Sequence, residues 1–132
     1  MKNIVKFKES LVVRMKINIS DDALKWFREE MEAEKGDKIR FYARYGGSSP
    51  IQEAFSLGVT KDTPFEPSVT LLHEEIMFFI EERDEWYFTG HDLYVSFNDQ
   101  SNELEYSYKK SLIAKGSNVF KSVTAFFIEK AI

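Results

Sequence analysis

Near Gly36 the spacing of apolar side chains switches from the period of a helix to the period of a strand. Nothing else in the sequence constrains the fold as tightly. Before the switch, Ala23, Leu24, Phe27 and Met31 recur on one helical face. Ser20 offers a hydroxyl to the free amides of a helix start, and Asp21 and Asp22 suit its positive end. Gly36 can take positive φ without steric cost and is placed to stop the run. The sequence therefore predicts a helix over 21–34, preceded by a short strand over 14–18. After the switch, Ile39, Phe41, Ala43 and Tyr45 alternate with Arg40, Tyr42 and Arg44, the pattern of a half-buried strand. Gly46-Gly47-Ser48-Ser49-Pro50 breaks it with turn residues. Alternation resumes at Phe55, Leu57 and Val59, and a loop with two prolines follows. Val69–Leu72 and the run from Ile76 read as a hairpin. Leu93, Val95 and Phe97 alternate again, and a turn over 98–102 leads into a last strand from Glu103. One helix followed by some six short strands implies an α+β domain, mainly antiparallel, sandwich-like or barrel-like.

A chain of 132 residues holds one domain. With 12 Phe, 6 Tyr and 2 Trp, its core should be rich in rings, with Phe41, Phe55, Phe78, Ile80 and Leu93 inside. No apolar run approaches the ~20 residues that span a bilayer, so no integral membrane association is expected. The first residues lack a continuous apolar stretch and a small-residue cleavage site, which places the expectation in the cytoplasm. The net charge of −4 is uneven. Residues 1–14 carry +3 and residues 109–132 carry +4, which leaves −11 on the body between them. An acidic body argues against nucleic acid as a partner, because such a surface cannot neutralise phosphates.

Cysteine is absent and histidine occurs twice. Thiolate nucleophiles, disulfides and cysteine-ligated zinc or iron–sulfur clusters are excluded within the chain. Beyond Lys110 the sequence changes character. Ser117 could cap a helix with Val119, Phe120, Val123, Phe126 and Phe127 on one stripe. The extension over 111–132 is accordingly expected to be helical, although its β-branched and aromatic content also suits a strand. It reads as a docking element, or as a contact with a second subunit or an anionic surface.

The order helix, Ile39-Arg-Phe-Tyr-Ala-Arg-Tyr-Gly-Gly-Ser-Ser, Phe55-Ser-Leu-Gly-Val, Ile76-Met-Phe-Phe-Ile-Glu-Glu and Trp86-Tyr-Phe-Thr-Gly-His-Asp-Leu resembles the HesB-like family. Within that family it resembles the YneR-type branch named for iron–sulfur cluster biosynthesis. The similarity covers about 15–110, leaving 1–14 and 111–132 as extensions. It implies a compact β-rich fold with an N-terminal helix and a background in cluster assembly. Carriers of the family hold iron or a cluster through three cysteines, one after the glycine turn and two in a Cys-Gly-Cys near the C-terminus. Here the first position falls on Ser48, and Asn98–Lys110 holds nothing of the second pattern. A neutral, hard hydroxyl does not replace a soft thiolate. The resemblance thus implies the fold and a non-enzymatic accessory or adaptor role, with a partner in the iron–sulfur assembly machinery and no cluster of its own.

Three sets of residues are candidate sites. Gly46, Gly47, Ser48 and Ser49 could turn amides and hydroxyls toward a small ligand or anion; the plainer reading is a turn that needs positive φ. His91 and Asp92, with Asp84 and Glu85, could hold a divalent metal; the plainer reading is a turn between strands, and no cofactor is expected. Trp86 and Tyr87, adjacent in a strand-like segment, place one ring inward and leave the other for an interface. Phe120, Phe126 and Phe127 are the interaction candidates of the tail, for a partner or a homodimer. Anaerobic incubation with iron and sulfide should leave the purified protein colourless. A stable brown product with iron–sulfur absorption would overturn the exclusion of a cluster.

Overall fold

The computed structural model of the protein describes residues 15–112 together with the backbone of 126–130. Strand β1 (Ile17–Ile19) leads into helix α1 (Asp21–Glu30), and Ser20 caps it by accepting the Ala23 N–H at 3.1 Å. Strands β2 (Lys38–Tyr45), β3 (Phe55–Lys61), β4 (Pro67–His73) and β5 (Ile76–Glu81) follow. A 3-10 segment (Glu82–Phe88) then precedes β6 (His91–Asn98), β7 (Glu103–Lys110) and β8 (Phe126–Lys130).

The strands form two four-stranded sheets, ordered β1-β6-β7-β8 and β3-β2-β5-β4. Four pairings are antiparallel, but β1 runs parallel to β6 and β2 parallel to β5. Each sheet is therefore mixed, and the described strands form no closed barrel. Period-2 alternation marks a residue as strand and inward-facing; it is silent on which strand lies beside it and in which direction. The hairpin between β4 and β5 is made by Glu74 and Glu75, both at positive φ, as a tight two-residue turn requires.

The helix stops a turn earlier than the sequence predicts. Glu32 takes the left-handed conformation at φ 53°, and the amides of Met31 and Ala33 both close on the Phe27 carbonyl. That closure buries Ala33, and Gly36 serves the following turn, where its amide reaches the Glu75 carbonyl. The segment around Trp86 is a 3-10 helix instead of a strand. Glu82-Arg-Asp-Glu lacks alternation, and Thr89 ends the segment in the left-handed region. The C-terminal extension departs from expectation at Phe126–Lys130, which is a strand paired antiparallel with β7 instead of a helix. Its run of aromatic and β-branched residues suits a sheet edge with free hydrogen-bonding groups. Residues 1–14 and Phe120 lie outside the described residues. Among the described residues no helix is long and apolar enough to cross a membrane.

The core sits where the two sheets and α1 converge. Phe41 of one sheet meets Tyr106 of the other edge-on at 6.1 Å, and Phe27 of the helix packs edge-on against Phe78 at 5.1 Å and Phe41 at 6.2 Å. Ile39, Ile80, Leu93, Val95 and Leu104 complete it. Phe27 is fully buried at the centre of these rings, so Phe27→Ala should lower stability by about 3–5 kcal/mol. Ser20→Ala removes one capping bond and should lower it by about 1 kcal/mol. Denaturant unfolding of both variants checks the ranking.

Candidate interaction surface

At the open end of β2 and β3 the strands run past the core. Tyr45 and Phe55 lie directly opposite each other in the register, with their rings edge-on at 5.5 Å. Trp86 of the 3-10 segment adds a third ring, edge-on to Phe55 at 5.0 Å. Tyr45 is 81% exposed and Trp86 48%, while Phe55 is half-buried between them. The series continues inward from Trp86 to Tyr87 at 6.3 Å and from Tyr87 to Tyr108 at 6.1 Å. The Tyr87 and Tyr108 hydroxyls are 3.1 Å apart in the interior. An exposed aromatic ridge is thus continuous with the core, and large rings held this way offer contact area at small entropic cost.

The ridge is fastened from both sides. Gly46 and Gly47 take φ of 119° and 66° in the turn that follows Tyr45. The Gly46 amide donates to the Ala54 carbonyl, and the Ser56 hydroxyl donates to the Gly46 carbonyl. Ser49 Oγ accepts the Ile51 and Gln52 amides. The Gln52 side-chain amide then crosses to the Tyr87 carbonyl at 3.2 Å, joining the turn to the 3-10 segment. On the other side Asp84, buried at the start of that segment, accepts from Arg40 Nη2 at 2.6 Å and from the Ala43 amide at 3.4 Å. Arg40 also bonds Asp62 at 3.1 Å and lies 5.5 Å from the centre of the Tyr42 ring. Burial works against the charge on Arg40, but Asp84 and Asp62 together hold its pKa above the ordinary arginine value. The Thr63 amide, and after it Arg40, hold the Asp62 carboxyl below its usual range. What Asp62 contributes is therefore present above the unfolded carboxylate range and is lost as pH falls.

The glycine turn and Trp86, separate candidates in the sequence, therefore meet in one surface. Ser48 lies exposed on the turn, and a hydroxyl among backbone groups does not suit an iron–sulfur cluster. Of the adjacent pair, Tyr87 is the ring that turns inward, wholly buried beside Tyr108, which leaves Trp86 as the interface candidate. Phe126 and Phe127 lie on β8, opposite Lys109 and Tyr108. The expected metal set is divided by its hydrogen bonds. Asp84 serves Arg40, and Asp92 Oδ1 accepts the Lys16 amide and the Ser111 hydroxyl. His91 Nδ1 donates toward the Phe88 carbonyl at 2.9 Å, and Glu85 is exposed. No group of three metal-ligating side chains occurs among the described residues.

Sequence reasoning missed Tyr45, Phe55, Arg40 and Gln52. Alternation puts Tyr45 and Phe55 on the same strand face as the core residues, but Tyr45 is exposed and Phe55, expected in the core, is only half-buried. The pattern carries no information on where the opposite sheet ends. The pairing of Arg40 with Asp84 spans 44 positions and has no local signal.

No family model matches the chain, and no solved structure does. Over 95 residues the chain is 50% identical to a Bacillus subtilis protein named pyruvate dehydrogenase inhibitor, a match covering 72% of this chain and the whole of that protein. It is 36% identical over 98 residues to an uncharacterized protein of Staphylococcus saprophyticus, again covering 72% of this chain and all of the relative. A third relative, from Staphylococcus haemolyticus, is 30% identical over 99 residues, 73% of this chain and all of its own length.

Asp84→Asn leaves Arg40 partly uncompensated in a site that is nearly closed to solvent. It should lower stability by about 2–3 kcal/mol, less than a fully buried pair because Asp62 remains. Asp62→Asn, on the exposed side of Arg40, should have the smaller effect. Unfolding curves read both, and equal losses would contradict the assignment of Asp84 as the principal partner.

Proposed function

Because the chain belongs to the family of the Bacillus subtilis protein named pyruvate dehydrogenase inhibitor, we propose that it is a non-enzymatic protein that inhibits pyruvate dehydrogenase by binding to it. One observation carries this reading: the match takes in every residue of that relative at 50% identity. Whatever surface serves the activity in its name therefore has a counterpart within the matched part of this chain. The chemistry of the chain fits occlusion better than modification. It has no thiol, and its best-placed acids are engaged in holding the fold. The ridge of Tyr45, Phe55 and Trp86 supplies the contact. Interface energy concentrates on a few aromatic anchors, with Trp and Tyr prominent among them. Tyr45 and Trp86 are exposed while Tyr87 and Phe88 behind them are buried, so the anchors are positioned before the partner arrives.

The accessory role implied by the HesB-like resemblance belongs to the same class of function and differs in partner. Purified iron–sulfur assembly proteins therefore form the second arm of the assay. The purified chain, titrated into the pyruvate dehydrogenase complex of its own organism, should lower turnover in a saturable way. Trp86→Ala and Tyr45→Ala should each weaken inhibition, by about 30-fold where the ring is a hot spot of 2 kcal/mol, with unfolding curves unchanged. Full enzyme activity at saturating chain would refute the proposal. Variants that inhibit as well as the parent would remove the ridge from it.

A further inference from the structure

Of the two edges of the β3-β2-β5-β4 sheet, one is protected and the other is not. The outer strand β4 carries Pro67 and a register break between Pro67 and Val69, both devices that blunt an edge. The other outer strand, β3, has neither. Its seven residues pair with β2 without interruption from Tyr45↔Phe55 to Ile39↔Lys61, and its one charge is Lys61 at the end. The Gly46 amide bonds the Ala54 carbonyl at one end, and the Asp62 amide bonds the Lys38 carbonyl at the other. In an antiparallel ladder alternate residues face the partner, so Ser56, Gly58 and Thr60 turn their main-chain groups to β2. Phe55, Leu57, Val59 and Lys61 turn theirs outward, where no strand of the described residues meets them.

The order of residue types along β3 is symmetric about its centre. Phe55-Ser-Leu-Gly-Val-Thr-Lys reads, outward from Gly58, as aliphatic then hydroxyl on both sides. We propose that β3 pairs antiparallel with β3 of a second copy about a two-fold axis at Gly58, joining two sheets into one of eight strands. Leu57 then lies opposite Val59 of the other copy, Ser56 opposite Thr60, and Phe55 opposite the aliphatic stem of Lys61. These are favourable cross-strand pairs, and each occurs twice, as a self-complementary interface requires. A foreign strand would give no reason for this symmetry. Gly58 is also the residue that lets two backbones approach at the axis. On the outer face the Tyr42 ring lies over it so closely that a Cβ at Gly58 would sit 2.4 Å from the ring. A cleft of about 370 Å³ walled by Trp26, Leu57, Val59, Leu104 and Tyr106 runs along the same edge, and the second copy would cover it. Of the ridge, Phe55 takes part in the pairing, whereas Tyr45 lies on β2 and Trp86 on the 3-10 segment. The pairing does not depend on the identity of the inhibited enzyme.

Sedimentation of the full chain should give twice its 15.5 kDa mass. Val59→Pro deletes an outward amide without touching the ladder to β2 and should weaken association at least tenfold while the circular dichroism stays native. The chain has no cysteine, so pairing can be read by cross-linking. Mixed Ser56→Cys and Thr60→Cys chains should form a disulfide between unlike chains. Neither variant alone should do so, since like positions would lie about 13 Å apart along the strand. Should Val59→Pro unfold, the cross-link decides. A chain that stays at single mass at its highest soluble concentration overturns the proposal, as does a dimer in which the unlike cysteines fail to join.

Discussion

The ring of Tyr87 occupies the space between the end of one sheet and the face of the other, and its hydroxyl meets that of Tyr108 in the interior. A buried phenol needs a polar partner, and each hydroxyl supplies one to the other. Together with the Arg40–Asp84 and Gln52–Tyr87 bonds, this pairing holds the 3-10 segment in place. Tyr87 can reach Tyr108 only if the chain after β5 leaves the sheet and turns across its end. Asp84 then falls beside Arg40, Trp86 falls beside Phe55, and the Tyr87 carbonyl falls within reach of Gln52. The surface ridge is a consequence of what the interior needs.

This dependence bears on what the surface can do. Loops of a small domain usually move independently of its core, and recognition by a moving loop loses affinity to ordering. Here the glycine turn, the 3-10 segment and the strand ends are tied to one another and to buried groups. The polar residues that looked most like reactive chemistry are taken up in the same way. Asp92 joins the start of β1 to the residue after β7, and Glu81 holds the loop before β4 through two amides. A domain that assigns its buried acids to backbone and guanidinium partners, and leaves rings at its rim, is suited to contact.

The sequence disclosed parts of this surface without their relation. The positive φ needed at Gly46 and Gly47 could be anticipated from composition, and the adjacency of Trp86 and Tyr87 required one ring to face outward. That the two features touch depends on a register, Tyr45 against Phe55, and on a side chain crossing from Gln52 to the 3-10 segment. The expected metal set illustrates the converse. His91, Asp92, Asp84 and Glu85 are near in sequence, but strand alternation and the turn at Thr89 and Gly90 send them to different partners.

By itself the sequence determined the helix and its cap, the strands with their inward faces, the turns, and the exclusion of thiolate chemistry. Each follows from properties of neighbouring residues: spacing, a capping hydroxyl, a glycine, the absence of sulfur. Tertiary structure alone decided which strands are neighbours and which of them run parallel. It decided that the helix closes on Phe27 a turn early, that Phe126–Lys130 joins a sheet, and that Tyr45, Phe55 and Trp86 converge. Those outcomes rest on contacts between residues tens of positions apart, whose energies exist only once both partners are in place.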